Sequence, residues 1–269
     1  MTDRDPRPIA FAAITVVVLL GTLYSVAYGT YLDTSNPLLS HLPHPLGQTH
    51  FWARKSNFLN AYFIKKAWGW TTAAFFLLWS TSPSCVRSLS KVVQWLVETG
   101  CWLTFTTWFF GPPLIHRVVL ASGGECLVVL PAGETVSVPT DFCFTRSTVT
   151  PESHPDVFAN SFVPPDWKGV PRLQRGHDVS GHIFLLTMSV LFLADQLRAS
   201  LRCGQWTIAH KFAITVNAAL IGIWLFAGGT TSVYFHSPLE KVTGYALGLL
   251  GFAATQLPFF STTPKQHSS

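Results

Sequence analysis

The sequence predicts an all-α, polytopic membrane helical bundle with about six transmembrane helices. Composition is the first reason. Hydrophobic residues make up 48% of the chain and charged residues only 12%, against roughly 25% charged in a soluble domain. So few charges cannot cover a water-facing surface of this size, and the mean hydropathy of +0.33 agrees. Aromatic content is the second. Ten Trp and 21 Phe are many, and Trp favours the membrane–water boundary. The third is a succession of apolar segments long enough, or nearly so, to cross a bilayer. The net charge of +5 does not indicate nucleic acid. The basic residues are scattered between apolar blocks, which makes them loop and boundary charges facing membrane lipids.

A spanning helix needs about 20 mostly apolar residues. The first segment, 8–28, is too long for the core of a cleaved signal peptide and reads as a retained helix. The second, 67–80, is short and spans only with tilt and with Lys65 and Lys66 snorkelling. The third, 92–110, contains Glu98, which is costly in lipid and needs a polar partner or a boundary position. The fourth, fifth and sixth cover 182–197, 206–226 and 238–257. Gly244 and Gly248 in the sixth form a GxxxG that lets a neighbouring helix approach. Residues 1–269 therefore read as a single integral membrane domain.

The proline-rich stretch 111–176 separates the third and fourth spans. It reads as a re-entrant or amphipathic piece (Leu114 to Leu120), a short strand pair (Cys126 to Phe144) and an irregular loop. Charge orients the bundle. Arg87 and Lys91 follow the second span, and Arg198, Arg202 and Lys211 follow the fourth. The loop after the fifth, Gly228 to Ser237, has no Lys or Arg. Both termini are then cytosolic and 111–176 lumenal, although Arg54, Lys55, Lys65 and Lys66 in the first loop dissent. Of the five cysteines, Cys126 and Cys143 share the long loop and suit a disulfide if it is lumenal. Without a CxxC pair or zinc spacing, free thiols are the favoured state.

Two segments carry chemistry: Arg175-Gly-His-Asp-Val-Ser-Gly-His182 before the fourth span and Tyr234-Phe-His-Ser-Pro-Leu-Glu-Lys241 before the sixth. Two crossings separate them, so both lie on one face of the membrane, where His182 and His236 can share a site. A helix N-terminus offers unpaired N–H groups and partial positive charge, which suits phosphate. Ser180 is the N-cap of the fourth span, with Gly181 leaving room for a ligand. Ser237, Pro238 and Glu240 compose a capping box at the sixth. Arg175 and Lys241 supply nearby cations. One neutral histidine attacking phosphorus and a second, protonated, donating to the leaving oxygen would be a phosphoryl-transfer pair. Each histidine alone equally suits an interfacial polar group, Glu240 a simple cap, and Asp178 a solvated loop position or a partner that fixes a histidine tautomer. His177 and His182 do not share a helical face and no HExxH is present, so no metal is expected.

Three stretches, HDVSGHIFLL (from His177), SVYFHSPLEKVTGYALG (from Ser232) and SNFLNAYFIKKAWGWT (Ser56 to Thr71), resemble the fat storage-inducing transmembrane (FIT) family of the endoplasmic reticulum. They spread over most of the chain in family order. That family looks like a distant relative of the lipid phosphate phosphatases, which implies a lipid-phosphatase-like core. Ser180-Gly181-His182 resembles their second motif with Val179 in place of proline. His236 with Glu240 resembles the third, with Glu in place of Asp and Thr230 where that motif has arginine. Lys168 and Arg175 have the spacing of the first, but Gly176 stands for its proline. The resemblance implies an acyl-CoA diphosphatase that splits fatty acyl-CoA into acyl 4'-phosphopantetheine and adenosine 3',5'-bisphosphate and supports lipid droplet formation. His236 would be the nucleophile, His182 the general acid and Glu240 the residue orienting His236. Arg175, Ser180, Gly181 and Lys241 would bind substrate, and no cofactor is required. A lipid phosphate phosphatase and a non-enzymatic neutral-lipid-binding protein are the alternatives. A transporter fits less well, because the polar clusters sit at helix ends rather than mid-membrane.

Overall fold

The computed structural model describes residues 5–32, 44–107, 112–159, 163–204 and 206–257. Six longer helices build the bundle: α1 (Arg7–Tyr28), α2 (Ala67–Thr81), α3 (Leu89–Thr106), α7 (Gly181–Cys203), α8 (Ile208–Tyr234) and α9 (Pro238–Thr255). Between α3 and α7 lie the short helices α4 (Leu114–Ala121), α5 (Thr140–Thr145) and α6 (Pro155–Phe158).

Among the described residues α1, α7 and α8 are long and apolar enough to cross a membrane. The most apolar window of α7 is 83% buried, against 28% for α1 and 33% for α8. α7 is therefore the central post, while α1 and α8 turn residues such as Leu20, Leu23 and Phe212 outward. Outward apolar faces on a long helix suit lipid. At about 1.5 Å per residue the 18 residues of α3 and of α9 each reach about 27 Å. α2 has only 15 residues, but a π-helical turn (Leu59–Phe63) and a 3₁₀ turn (Ile64–Lys66) lead straight into it.

Contacts at the two rims show successive long helices alternating in direction. At one rim Arg7 Nη1 at the start of α1 lies 3.5 Å from Asp195 Oδ1 near the end of α7. Thr81 Oγ1 at the end of α2 is 3.2 Å from His210 Nδ1 at the start of α8. Lys91 Nζ, early in α3, donates to the Gln196 carbonyl. At the opposite rim Leu32 N–H donates to the Tyr234 carbonyl, and the Phe105 and Phe184 rings lie 4.4 Å apart. Buried polar groups tie helices together between the rims. Asn217 Nδ2 donates to the Ala74 carbonyl at 2.9 Å, and Trp224 Nε1 to Thr71 Oγ1 at 3.2 Å. Such interhelical bonds satisfy groups that lipid could not. Glu98 does not follow the expectation of a polar partner. It is fully buried, and neither carboxylate oxygen has a hydrogen-bond partner among the described residues.

Four expectations need correcting. The segment from Gly228 is not a loop, because α8 runs on to Tyr234. Its Gly-Gly pair is a packing contact: a Cβ on Gly228 would rest 3.5 Å from Ile14 of α1, and one on Gly21 would come within 2.7 Å of Ser232 Cβ. In the long polar stretch the expected piece from Leu114 is a helix, α4, but the part expected to be irregular contributes a strand. A three-stranded antiparallel sheet, ordered β2 (Thr135–Ser137), β1 (Glu125–Val129), β3 (Arg172–Gln174), covers its own core of Cys126, Val128, Leu130, Val138, Cys143, Val149 and Phe158. A strand pair was expected as far as Phe144, but Pro139 ends the strand and Thr140–Thr145 forms α5. Cys126 in β1 and Cys143 in α5 are joined by a disulfide, as are Cys85 and Cys203 at the other rim, so the favoured free-thiol state is overturned for both pairs. The end of the third predicted span, 108–110, lies outside the described residues.

Candidate active site

Glycines bring the two chemistry-bearing segments together. A Cβ on Gly244 of α9 would stand 2.5 Å from the Ser180 carbonyl oxygen, and one on Gly248 would stand 2.7 Å from the Phe184 carbonyl oxygen. The GxxxG thus lays α9 directly on the backbone that starts α7. Hydrogen bonds then join the two starts. Ser180 N–H donates to the Glu240 carbonyl at 3.0 Å, and Asp178 N–H to Glu240 Oε1 at 3.1 Å. His177 Nε2 lies 2.9 Å from Thr243 Oγ1.

His236 sits in the short turn between α8 and α9 with φ +60°. Left-handed backbone is uncommon for a residue with a side chain, and such outliers cluster at functional sites. The capping box forms immediately after it: Ser237 N–H donates to Glu240 Oε2 at 2.7 Å. The same oxygen lies 3.4 Å from His236 Nδ1, off the hydrogen-bonding direction. Catalytic hydrogen bonds are often this long before substrate arrives. Glu240 therefore caps α9, anchors the Asp178 backbone and stands beside the His236 ring at once.

His182 and His236 line one cavity of about 280 Å³. Its polar wall is completed by Lys55, Asn57, Asn60, Lys65, Asp178, Thr230 and Thr231, and Leu32, Ile64 and Phe235 add an apolar side. The two asparagines shape the cation-bearing loop. Asn57 Nδ2 donates to the Arg54 carbonyl at 2.7 Å, its Oδ1 accepts the Asn60 N–H at 2.8 Å, and Asn60 Nδ2 donates to the Lys55 carbonyl at 2.6 Å. Burial holds the Lys55 ammonium below the ordinary lysine value. Repulsion from Arg172 adds to this, and Asp178 offsets it. Burial likewise pushes the Asp178 carboxyl up. His236 draws it back, Glu240 reinforces the rise, and His116 and His177 oppose it.

The other predicted binding residues are placed elsewhere. Arg175 Nη1 pairs with Glu125 Oε2 at 3.0 Å on the sheet edge, away from the cavity wall. Lys241 is fully buried against α1; its Nζ donates to Ser25 Oγ at 2.7 Å and lies 5.1 Å from the Tyr31 ring centre. One residue beyond Glu240 on a helix is a turn of about 100°, so the two side chains cannot share a face. Ser180 accepts from Ile183 N–H and packs beneath Gly244. Gly181 faces Phe105 and Ile115. Sequence reasoning missed Lys55, Asn57, Asn60 and Lys65 as site residues, although the last three lie in a stretch that carried the resemblance and Lys55 directly precedes it. Among the described residues no group of three His, Cys, Asp or Glu is arranged to hold a metal ion.

Comparison with known proteins gives this geometry a lineage. The profile of the fat storage-inducing transmembrane proteins matches residues 48–213 and 199–255. The chain belongs to the fat storage-inducing transmembrane family. Acyl-coenzyme A diphosphatase fit1 of Schizosaccharomyces pombe is 28% identical to this family member, over 89% of this chain and 80% of its own. Acyl-coenzyme A diphosphatase FITM2 of Xenopus tropicalis is 28% identical over 76% of this chain and 71% of its own. Human fat storage-inducing transmembrane protein 1 is 27% identical over 78% and 67%. No solved structure matches this member of the family. The matched residues run from the loop bearing Lys55 through both histidine segments.

Proposed function

We propose that the protein is a fatty acyl-CoA diphosphatase of the endoplasmic reticulum membrane. It would cleave the pyrophosphate to give acyl 4'-phosphopantetheine and adenosine 3',5'-bisphosphate, and so support lipid droplet formation and lipid balance. One observation carries the reading: two histidines and two lysines, from three separate segments, line a single cavity at the rim of an apolar bundle. An acyl chain remaining in the bilayer while its charged head enters that rim is the geometry an amphiphilic anhydride needs. The names and coverage of the relatives support the same substrate class.

In the mechanism, substrate binding would bring His236 Nδ1–H onto Glu240 Oε2, 3.4 Å away, and leave Nε2 to attack one phosphorus of the pyrophosphate. The bond from that phosphorus to the bridging oxygen breaks, and His182, which would take up a proton from solvent as the anionic substrate binds, donates it to the departing oxygen. Neutral His182 then takes a proton from water, whose oxygen attacks the phosphohistidine and frees His236. Lys55 and Lys65 hold the non-bridging oxygens, where charge stabilisation acts most strongly. The six alternating helices would each cross the membrane. A lumenal site fits the basic loops after the second and fourth predicted spans, which would then face the cytosol.

The test gives purified full-length protein oleoyl-CoA and, separately, phosphatidic acid. Mass spectrometry should find adenosine 3',5'-bisphosphate from the first and little inorganic phosphate from the second. His236→Ala should remove turnover, and His182→Ala should lower it about 10²–10⁴-fold. Ordinary turnover in either folded variant refutes the scheme. Equal or faster phosphate release from phosphatidic acid would make the protein a lipid phosphate phosphatase instead.

A further inference from the structure

A second cavity, of about 390 Å³, lies on the other side of Asp178, which lines both. Its walls carry His116 from α4, Arg146 from the end of α5, Arg172 from β3 and the Cys143 side of the disulfide-bonded subdomain. Neither arginine forms an ion pair among the described residues. His116 Nδ1 has no hydrogen-bond partner there either, and its ring stacks on Phe144. Arg146 is held at φ +53°, a left-handed backbone with no glycine to ease it. Arg172 is near enough to Lys55 for the two cations to repel, and Arg146 repels a charged His116 in the same way. Among the described residues, Asp178 is the one acidic residue on either wall. Two arginines and an unpaired imidazole converging around so little negative charge make a poor arrangement until an anion enters, and guanidinium groups suit phosphate oxygens above all.

We propose that this second cavity binds the phosphate monoester on the nucleoside end of the substrate, the 3'-phosphate of a nucleoside 3',5'-bisphosphate. This deepens the acyl-CoA reading and rests on it. With the pyrophosphate between His182 and His236, only a ribose separates it from the 3'-phosphate, and the two cavities share Asp178 as a lining residue. The subdomain carrying Arg146 and Arg172 would then be what distinguishes a coenzyme A ester from a simple lipid phosphate. Neither arginine touches the bond that breaks. Their loss should therefore raise KM and leave kcat.

Two measurements on the full-length protein in detergent decide this. In equilibrium binding, wild-type protein should hold adenosine 3',5'-bisphosphate roughly tenfold or more tighter than adenosine 5'-phosphate, the ratio expected for one charged hydrogen-bonded pair. Arg146→Gln and Arg172→Gln should each reduce that ratio towards one while still binding the monophosphate, which also reports folding. In kinetics, wild type should show a lower KM for oleoyl-CoA than for 3'-dephospho-oleoyl-CoA, and the arginine variants should not. Should an arginine variant misfold, Val170→Trp fills the same cavity from its rim and should abolish the 3' preference alone. Equal binding of bisphosphate and monophosphate by wild type, or a preference that survives these substitutions, overturns the site. Preferential bisphosphate binding without any acyl-CoA hydrolysis would keep the site and overturn the hydrolase. Hydrolysis of both substrates with equal KM would do the reverse.

Discussion

Replacing Gly244 by alanine adds one methyl group at the point where α9 crosses the backbone of Ser180. That carbon would stand 2.5 Å from the Ser180 carbonyl oxygen and 3.3 Å from both its carbonyl carbon and its Cβ. Ordinary contact begins at 3.4 Å, so α9 must retreat by 3.4 − 2.5, about 0.9 Å, and the neighbour is backbone that cannot rotate aside. Overpacking of this kind costs about 1–3 kcal/mol. The site should suffer more than the fold, because the retreat moves His236 and Glu240 away from His182, and a misplacement of about 1 Å costs about 10²-fold in rate. The assay is adenosine bisphosphate release per monodisperse protein, with melting temperature measured beside it. Two other glycines grade the result. Gly251→Ala meets the flexible Met188 Sδ at 2.9 Å and should lose little. Gly222→Ala meets nothing within 4 Å and should gain about 0.5–1 kcal/mol from helix propensity. If Gly244→Ala turns over like wild type, close contact of α9 with Ser180 does not hold the site together, and the account of how the histidines meet is wrong.

Asp178→Asn tests the electrostatics of the shared wall. The folded carboxyl is raised above its unfolded value of 3.8, chiefly by burial, so the ionised aspartate costs stability at neutral pH and the amide does not. The variant should melt higher than wild type at pH 7.5. Its advantage should shrink as pH falls through the raised folded value and vanish below the unfolded one, where aspartate is neutral in both states. A constant difference across that range would refute the assignment. Lys241→Gln separates the sequence-based role of Lys241 from its observed place. With its ammonium bonded to Ser25 and set over Tyr31, the change should alter melting and leave KM for oleoyl-CoA within about twofold, since a lost phosphate contact would cost roughly tenfold or more. A tenfold rise in KM would return Lys241 to the binding site.

Local patterns were the legible part of the fold. Long apolar runs marked α1, α7 and α8, and Ser-Pro-x-Glu marked the start of α9 together with its capping box. The GxxxG announced a close helix contact without naming the partner. Elements whose meaning depends on packing were not legible. Gly-Gly at 228–229 reads as a turn in one dimension and is a smooth patch against Ile14 and Val17 in three. The strand pair around Cys126 was legible as a pair, but its third strand, three residues long and distant in sequence, was not, since no run of alternation was long enough to reveal it. Within the site, the histidines stood out because each begins a helix beside a capping signal. Lys241 looked equivalent to Glu240 only because sequence adjacency hides the rotation between consecutive helical residues.

The charges of the first loop connect topology to chemistry. Read as orientation signals, Arg54, Lys55, Lys65 and Lys66 conflict with every other loop. In the structure, Lys55 and Lys65 point into the cavity with His182 and His236, and Arg54 donates to the Gly47 and Gln48 carbonyls. Three of the four are therefore committed to local structure or to the site, and only charges free to face the bilayer surface should weigh in orientation. With those three removed, the remaining loops agree on one direction, and on the proposed topology the cavity and the Cys126–Cys143 subdomain would share the non-cytosolic side. A protease-protection or glycosylation-tag experiment at the tip between β1 and β2 checks this. A cytosolic tip would mean that the lysines do orient the chain, and the substrate head would then have to approach from the cytosol.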